Sequence, residues 1–141
     1  MFIRSRPATA DDAKFILSLE EVCMRQYAEA LWGMWKPSAT VETLNVAGHE
    51  LIELDKAPAG CLAVTWHHDH LFVDKLYIAP PYQRRGVGAA VLRAKVADAA
   101  ARGLPTVLSV LTTNPADKFY AREGFVVVSE TPERRKMNMA P

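Results

Sequence analysis

A short glycine-containing loop, Gln83-Arg84-Arg85-Gly86-Val87-Gly88, stands between an apolar run and an amphipathic run. Residues of those types at that spacing can hold an anion. The apolar run Leu71–Ile78 is rich in β-branched and aromatic residues and predicts a buried strand. Pro80 and Pro81 stop it, because proline has no amide to give a sheet ladder. Val87, Ala90, Val91 and Ala94 fall at i, i+3, i+4 and i+7, one face of a helix. The first amides of such a helix lack intrahelical partners, and with the helix dipole they favour a phosphate. Gly86 and Gly88 let a ligand reach the backbone, and Arg84 and Arg85 add charge at the mouth. The competing reading is an ordinary strand-to-helix turn with two solvated arginines. The third glycine of a dinucleotide fingerprint is missing, and so is the Gly-Lys-Ser/Thr of a P-loop.

A second chemically dense stretch lies near the start. Glu20, Glu21, Arg25, Tyr27, Trp32 and Trp35 fall within about four or five helical turns. As a substrate wall, Trp32 and Trp35 form an apolar face beside Tyr27, and Glu20 or Glu21 holds an amine. As plain structure, the aromatics fill a core and the charges face water. His67-His68-Asp69-His70 invites a metal reading. Adjacent residues of a tight turn diverge, however, and no second ligand cluster occurs elsewhere. A solvated hairpin tip and no metal are expected.

These residues need a domain to position them. A chain of 141 residues predicts a single domain over 1–141, and half of it is apolar, enough for a core. The net charge of +1, from 17 basic and 16 acidic residues, lacks the basic excess of a general nucleic-acid binder. Cys23 and Cys61 make no disulfide framework, and no signal peptide or long apolar span is visible. A reducing, cytoplasmic setting without membrane or nucleic-acid partners is the expectation.

Phe2–Arg6 alternates and predicts a first strand. Thr9 caps a helix that starts near Ala10, runs on or breaks briefly through Tyr27 and Leu31, and ends by Gly33 and Pro37. Residues 38–47 are a further helical piece or a loop, with Val41 and Leu44 free to pack inward. Glu50–Leu54, Ala59–Trp66 and Leu71–Ile78 form an antiparallel meander around turns at Asp55–Pro58 and His67–His70. After the long helix and Gly103-Leu104-Pro105, Thr106–Leu111 is a strand that can lie parallel to Leu71–Ile78. Asn114 can cap and Pro115 can open a short helix, Ala116–Glu123, ended by Gly124. Phe125–Ser129 and Arg135–Met139 close the chain as a hairpin around Thr131-Pro132-Glu133.

Two stretches together resemble a known family. Gln83-Arg84-Arg85-Gly86-Val87-Gly88 fits Gln/Arg-x-x-Gly-x-Gly/Ala, the pyrophosphate motif of the GNAT superfamily of acetyl-CoA-dependent N-acetyltransferases, and Leu76-Tyr77-Ile78-Ala79-Pro80 precedes it as in that family. Asn114, the pair Phe119-Tyr120 and Gly124-Phe125 repeat a second family pattern in the right order. The resemblance covers Leu71 to Phe125. It implies an α/β fold, a mostly antiparallel twisted sheet of about six to seven strands with a parallel pair splayed at the middle and about four flanking helices. It also implies acetyl transfer from acetyl-CoA to a primary amine, either a small molecule, a peptide N-terminus or a lysine, by direct attack in a ternary complex.

Under that resemblance Gln83, Arg84, Arg85, Gly86, Val87, Gly88 and Ala89 hold the pyrophosphate. Leu76 and Ile78 pair with the pantothenate arm, and the Ile78 amide polarises the thioester carbonyl. Asn114 bonds the arm, and Tyr120 protonates the departing thiolate. The first helices form the acceptor side, with Glu20, Tyr27, Trp32 and Trp35 as candidates. The base is open. Asp74 is the only carboxylate on the central strand, and alternation sets it on the face of Phe72, Leu76 and Ile78. Phe72 stands where some family members carry a glutamate. Glu20, Glu53 or a water chain are the alternatives. A monomer or a homodimer fits equally. The rival functions are a non-catalytic acyl-CoA or nucleotide-phosphate module, and an interaction domain with an empty groove.

Overall fold

In a computed structural model describing residues 1–141, one seven-stranded sheet carries helices on both faces. The strands are β1 (Ile3–Pro7), β2 (His49–Leu54), β3 (Ala57–Trp66), β4 (Leu71–Ile78), β5 (Thr106–Leu111), β6 (Val126–Glu130) and β7 (Arg134–Met139). The helices are α1 (Ala13–Trp32), α2 (Val87–Ala101) and α3 (Ala116–Arg122). The spatial order is β1-β2-β3-β4-β5-β7-β6, and only β4 and β5 run parallel. No helix is long and apolar enough to cross a membrane.

Three α-helices stand where about four were expected. The first is one unbroken 20-residue rod. Arg6 and Thr9 lock its entry onto Asp12, with the Asp12 carboxylate accepting from Arg6 at 2.9 and 3.0 Å and from the Thr9 amide at 2.8 Å. Gly33, in the left-handed region at φ 78°, ends it. From there to Gly48 the chain makes no helix, only a turn in which the Thr40 carbonyl accepts from Thr43 and Leu44. Leu44 packs inward against Ile16, Leu19 and Leu51, and Val41 stays exposed.

Two local details differ from the sequence expectation. The β2–β3 connection is a two-residue turn, not a four-residue one. Asp55 and Lys56 both take positive φ, 50° and 74°, and the Asp55 carboxylate accepts from the Phe2 amide at 2.8 Å. Pro58 therefore lies inside β3, beside a bulge where Ile52 faces Gly60 but Glu53 faces Pro58. On α2 the buried residues are Val87, Val91, Leu92 and Ala99, while Ala90 and Ala94 are exposed. Alanine on every side leaves a helix's inner face undetermined until larger neighbours choose it.

The third difference bears on the site. Between β3 and β4 the register steps from Ala63↔Lys75 to Val64↔Val73, leaving Asp74 as the extra residue of a bulge. Strict alternation therefore fails there. Val73 shares one apolar cluster with Leu76 and Ile78, which alternation forbids, and Asp74 no longer follows their face. That cluster fills the layer between the sheet and α2 and α3, with Ile52, Leu62, Val87, Leu92, Leu108 and Met137 at its centre. A smaller one, with Ile16, Leu19, Leu51 and Cys61, lies under α1.

Gly60 marks where β3 supports the end of β4. A Cβ there would stand within 2.9 Å of Ile78 Cδ1 and closer still to the Tyr77 carbonyl oxygen. Gly60→Ala is expected to destabilise the protein by about 1–3 kcal/mol, read from the midpoint of urea unfolding.

Candidate active site

The sheet opens at its centre. β4 and β5 pair only at Leu71↔Thr106 and Phe72↔Val107, with the Leu71 amide donating to the Pro105 carbonyl at 3.0 Å. Beyond Phe72 the strands part. The Ala79 amide donates to Ala59 of β3 at 2.7 Å, so alternation turns the backbone groups of Ile78 toward the gap. A cleft of about 770 Å³ fills that gap, walled by β4, β5, the start of α2, α3 and the middle of α1.

The loop before α2 forms one end of the cleft. Arg84 and Gly86 both take left-handed backbone, φ 61° and 81°. Successive amides in such a path turn inward and make a concave nest for an anion. The first intrahelical bond is Ala90 N–H to the Gly86 carbonyl at 3.1 Å, and no amide from Arg84 to Ala89 finds an acceptor in the chain. Left-handed backbone at an arginine is strained by about 1 kcal/mol or more, and such strain clusters at ligand clamps. Gln83 reaches back and donates from Nε2 to the Ile78 carbonyl at 2.9 Å, tying the loop to the end of β4. Gln83, Arg84, Gly86, Val87, Gly88 and Ala89 all line the cleft. Arg85 does not, and lies over the Tyr82 ring at 5.9 Å.

Tyr120 stands on the opposite wall, with Asn114. Its ring meets Phe119 and Phe125 edge-on, at centroid distances of 5.1 and 5.7 Å. Burial pushes the phenol up to about 12, so it holds its proton throughout the neutral range. Asn114 Oδ1 accepts from the Ala116 amide at 2.9 Å, while its Nδ2 approaches Met24 Sδ at 3.8 Å; the helix begins one residue later than expected, with Pro115 rather than Asn114 at its N-cap. Leu76 and Ile78 line the cleft between these two walls.

This geometry agrees with what the chain is similar to. Residues 46–127, more than half of the sequence, match the acetyltransferase (GNAT) domain family. The chain belongs to that family. No curated protein sequence matches it. Among solved structures, a PaiA N-acetyltransferase from Thermoplasma acidophilum in complex with coenzyme A is 16% identical, with both chains covered in full and a TM-score of 0.78. The Escherichia coli ribosomal-protein-S18-alanine N-acetyltransferase is 18% identical over 99% of this chain and 94% of its own, TM-score 0.71. Arabidopsis thaliana Naa50, in complex with the bisubstrate analogue CoA-Ac-MVNAL, is 15% identical with full coverage of both chains and a TM-score of 0.73. At these identities the likeness is one of fold, and the fold is the GNAT fold.

The remaining wall of the GNAT cleft comes from α1 and the near face of the sheet. Tyr27 lines it, with Cys23 and Met24; Glu20, Trp32 and Trp35 do not. Glu20 is buried, and its Oε2 takes Lys75 Nζ at 3.2 Å and the Ser38 hydroxyl at 3.1 Å. Trp32 is half exposed beyond the end of the cleft, under the Arg134 guanidinium at 5.9 Å. Asp74 does line the cleft, and accepts from the Thr65 hydroxyl at 2.7 Å. Glu53 lies on β2, within 3.7 Å of Arg6, and is not part of the wall.

Sequence reading missed Lys75 and Arg134, which both line the cleft. Lys75 left a signal, a lysine inside an apolar strand that a buried carboxylate must answer. It also acts on its surroundings. Burial first, then the Lys75 charge, lowers His49, whose Nε2 is enclosed without a partner. Burial raises Cys23 to about 11 and Cys61 to about 12, so both thiols stay protonated near neutrality. At the hairpin tip, His70 Nδ1 bonds Asp69 at 2.7 Å and the His67 ring stacks on His70 at 4.4 Å.

The Glu20–Lys75 pair is buried on both sides, with side-chain exposures of 7% and 14%. Lys75→Met leaves Glu20 without its counter-ion and is expected to cost about 3–5 kcal/mol. Glu20→Met with Lys75→Met removes both charges and is expected to recover most of that loss in the same denaturation experiment.

Proposed function

We propose that this single domain, spanning 1–141, transfers an acetyl group from acetyl-CoA to a primary amine by direct attack in a ternary complex. The observation that carries the reading is convergence. One cleft joins a nest of free amides, an open strand edge and a half-buried phenol. A cradle for a diphosphate and a proton donor at the other wall match the two ends of a thioester donor.

Each residue then has a role. The free amides of Arg84 to Ala89 bind the pyrophosphate, with the Arg84 side chain adding charge. Leu76 and Ile78 offer main-chain groups to the pantothenate arm as a missing strand would, and the Ile78 amide donates to the thioester oxygen as charge develops there. Asn114 keeps its bond to the Ala116 amide and adds a contact to the arm. The amine nitrogen forms a bond to the acetyl carbon, and the carbon–sulfur bond breaks. Tyr120 is a protonated donor beside the departing sulfur. The amine's proton passes to Asp74, the carboxylate on the cleft wall that no cation neutralises. Glu20 is engaged by Lys75 and Ser38, and Glu53 lies by Arg6, which leaves both less suited.

A peptide N-terminus is one acceptor that the fold accommodates, since Naa50 holds a peptide-bearing bisubstrate analogue. A small-molecule amine or a lysine is accepted by the same chemistry. Cys23 and Cys61 are free thiols, in keeping with the reducing, cytoplasmic setting expected from the sequence.

Two measurements test this. Tyr120→Phe keeps the ring packing and removes the proton, so kcat is expected to fall roughly a hundredfold or more with CoA affinity nearly unchanged. Wild-type protein that binds CoA yet consumes no acetyl-CoA, whichever amine is supplied, would point instead to a non-catalytic acyl-CoA module. Gly88→Ala separates binding from folding. A Cβ there meets only Ile78 Cγ1 at 3.5 Å and Phe119 Cζ at 3.8 Å, ordinary contact. The melting temperature of the free protein is expected to hold or rise slightly, and the stabilisation that CoA confers is expected to shrink.

A further inference from the structure

The charges on the cleft wall do not cancel evenly. Glu123 pairs with Arg93 at 2.6 Å, and Lys75 pairs with Glu20. Arg84 and Arg122 belong to the donor end, one in the loop before α2 and the other next to the residue that pairs with Arg93. Two wall charges are left, Asp74 on β4 and Arg134 on β7, and neither has an ion-pair partner.

Arg134 is exposed at the rim, but its placement is built. Its amide donates to Thr131 Oγ1 at 3.0 Å, and its carbonyl accepts from the Thr131 amide at 2.8 Å. The same hairpin is pinned to the segment after β5, where the Thr112 amide and hydroxyl donate to the Glu133 and Pro132 carbonyls, both at 2.9 Å. Thr113 then fastens that segment to α1, its hydroxyl donating to the Tyr27 carbonyl at 2.7 Å. The next residue, Arg135, turns to the opposite face and is neutralised by Glu130 and Asp117. Alternation therefore sends Arg134 toward α1, where its guanidinium lies over Trp32. Arg134 pairs with Leu111, about 7 Å further along the strands than the level of Asp74 and across the gap from it.

We propose that the acceptor is an amine that also carries a carboxylate, with Asp74 facing the amine and Arg134 binding the carboxylate against Trp32. This rests on the acetyl-transfer reading and names the substrate class of that same site. A planar guanidinium presents two parallel N–H groups to a carboxylate, and the Trp32 ring at 5.9 Å lies within cation–π range of it. A single guanidinium matches a singly charged group better than a phosphate dianion, which calls for several donors. Acceptors whose second group is another ammonium meet a like charge at the same place.

The test uses matched acceptors: L-amino acids, their C-terminal amides, and a diamine without carboxylate. The full chain is assayed by thioester consumption. Acids are expected to exceed their amides in kcat/KM by roughly ten- to hundredfold, the range of one hydrogen-bonded charge. R134Q is expected to bring the acid down to the amide's level, and R134K to recover part of the preference. The inference is overturned if wild-type protein uses amides or diamines as well as acids, or if R134Q keeps the preference for acids. Turnover of amines without any preference for acids sinks this inference alone. If no amine is acetylated, the transfer reading fails first, and calorimetric titration of the same acids and amides into CoA-saturated protein still decides the carboxylate contact. Equal affinity for acid and amide, or no binding of either, overturns it.

Discussion

The parallel pair at the centre of the sheet holds for two rungs and then lets go. Everything functional in the domain depends on that release. A continuous ladder from Leu71 to Ile78 would satisfy every main-chain group on β4 and leave no edge for a ligand. The opening exposes backbone donors and acceptors where water-filled space replaces a strand. Those groups are costly to bury unpaired, so the gap is stable as an open cleft, with room for a further extended chain to pair there.

Several features keep the gap open without unfolding its rims. The bulge at Asp74 bends β4 away from β5, as bulges increase local twist. Gly60 lets β3 press close against Tyr77 and Ile78, so the bent end of β4 still has a partner on its far side. Gln83 ties the α2 loop to the Ile78 carbonyl, and Thr113 ties the segment after β5 to α1. The two walls are thus anchored separately: one to β3 and α2, the other to β7 and α1. The buried Glu20–Lys75 pair and apolar clusters on both faces of the sheet support the two walls.

The half of the cleft at the α2 loop is built largely from main chain. Amides at a helix start and at a strand edge are supplied by any residue, given two glycines and a left-handed turn at Arg84 and Gly86. The other half is different. Asp74, Lys75, Tyr27 and Arg134 contribute side chains from three elements, and there each chain sets its own chemistry.

Local patterns determined much of this protein. Pro80-Pro81, the glycine pair at Gly86 and Gly88, and the β-branched run of β4 mark where strand, loop and helix must fall. They do so because propensity, proline and glycine act over a few residues. The loop before α2 and the short helix after Pro115 were legible for the same reason. Three things required the folded chain. The inner face of α2 was ambiguous, because Ala90 and Ala94 look as apolar in sequence as the buried Val91. The bulge at Asp74 was invisible, since it arises from pairing with β3 and not from the residues of β4 alone. Glu20 read as a free carboxylate until Lys75, far along the chain, was brought beside it, and Arg134 joined the cleft only because β7 inserts between β5 and β6. Charge pairing and strand order depend on contacts between distant segments, and no local pattern encodes them.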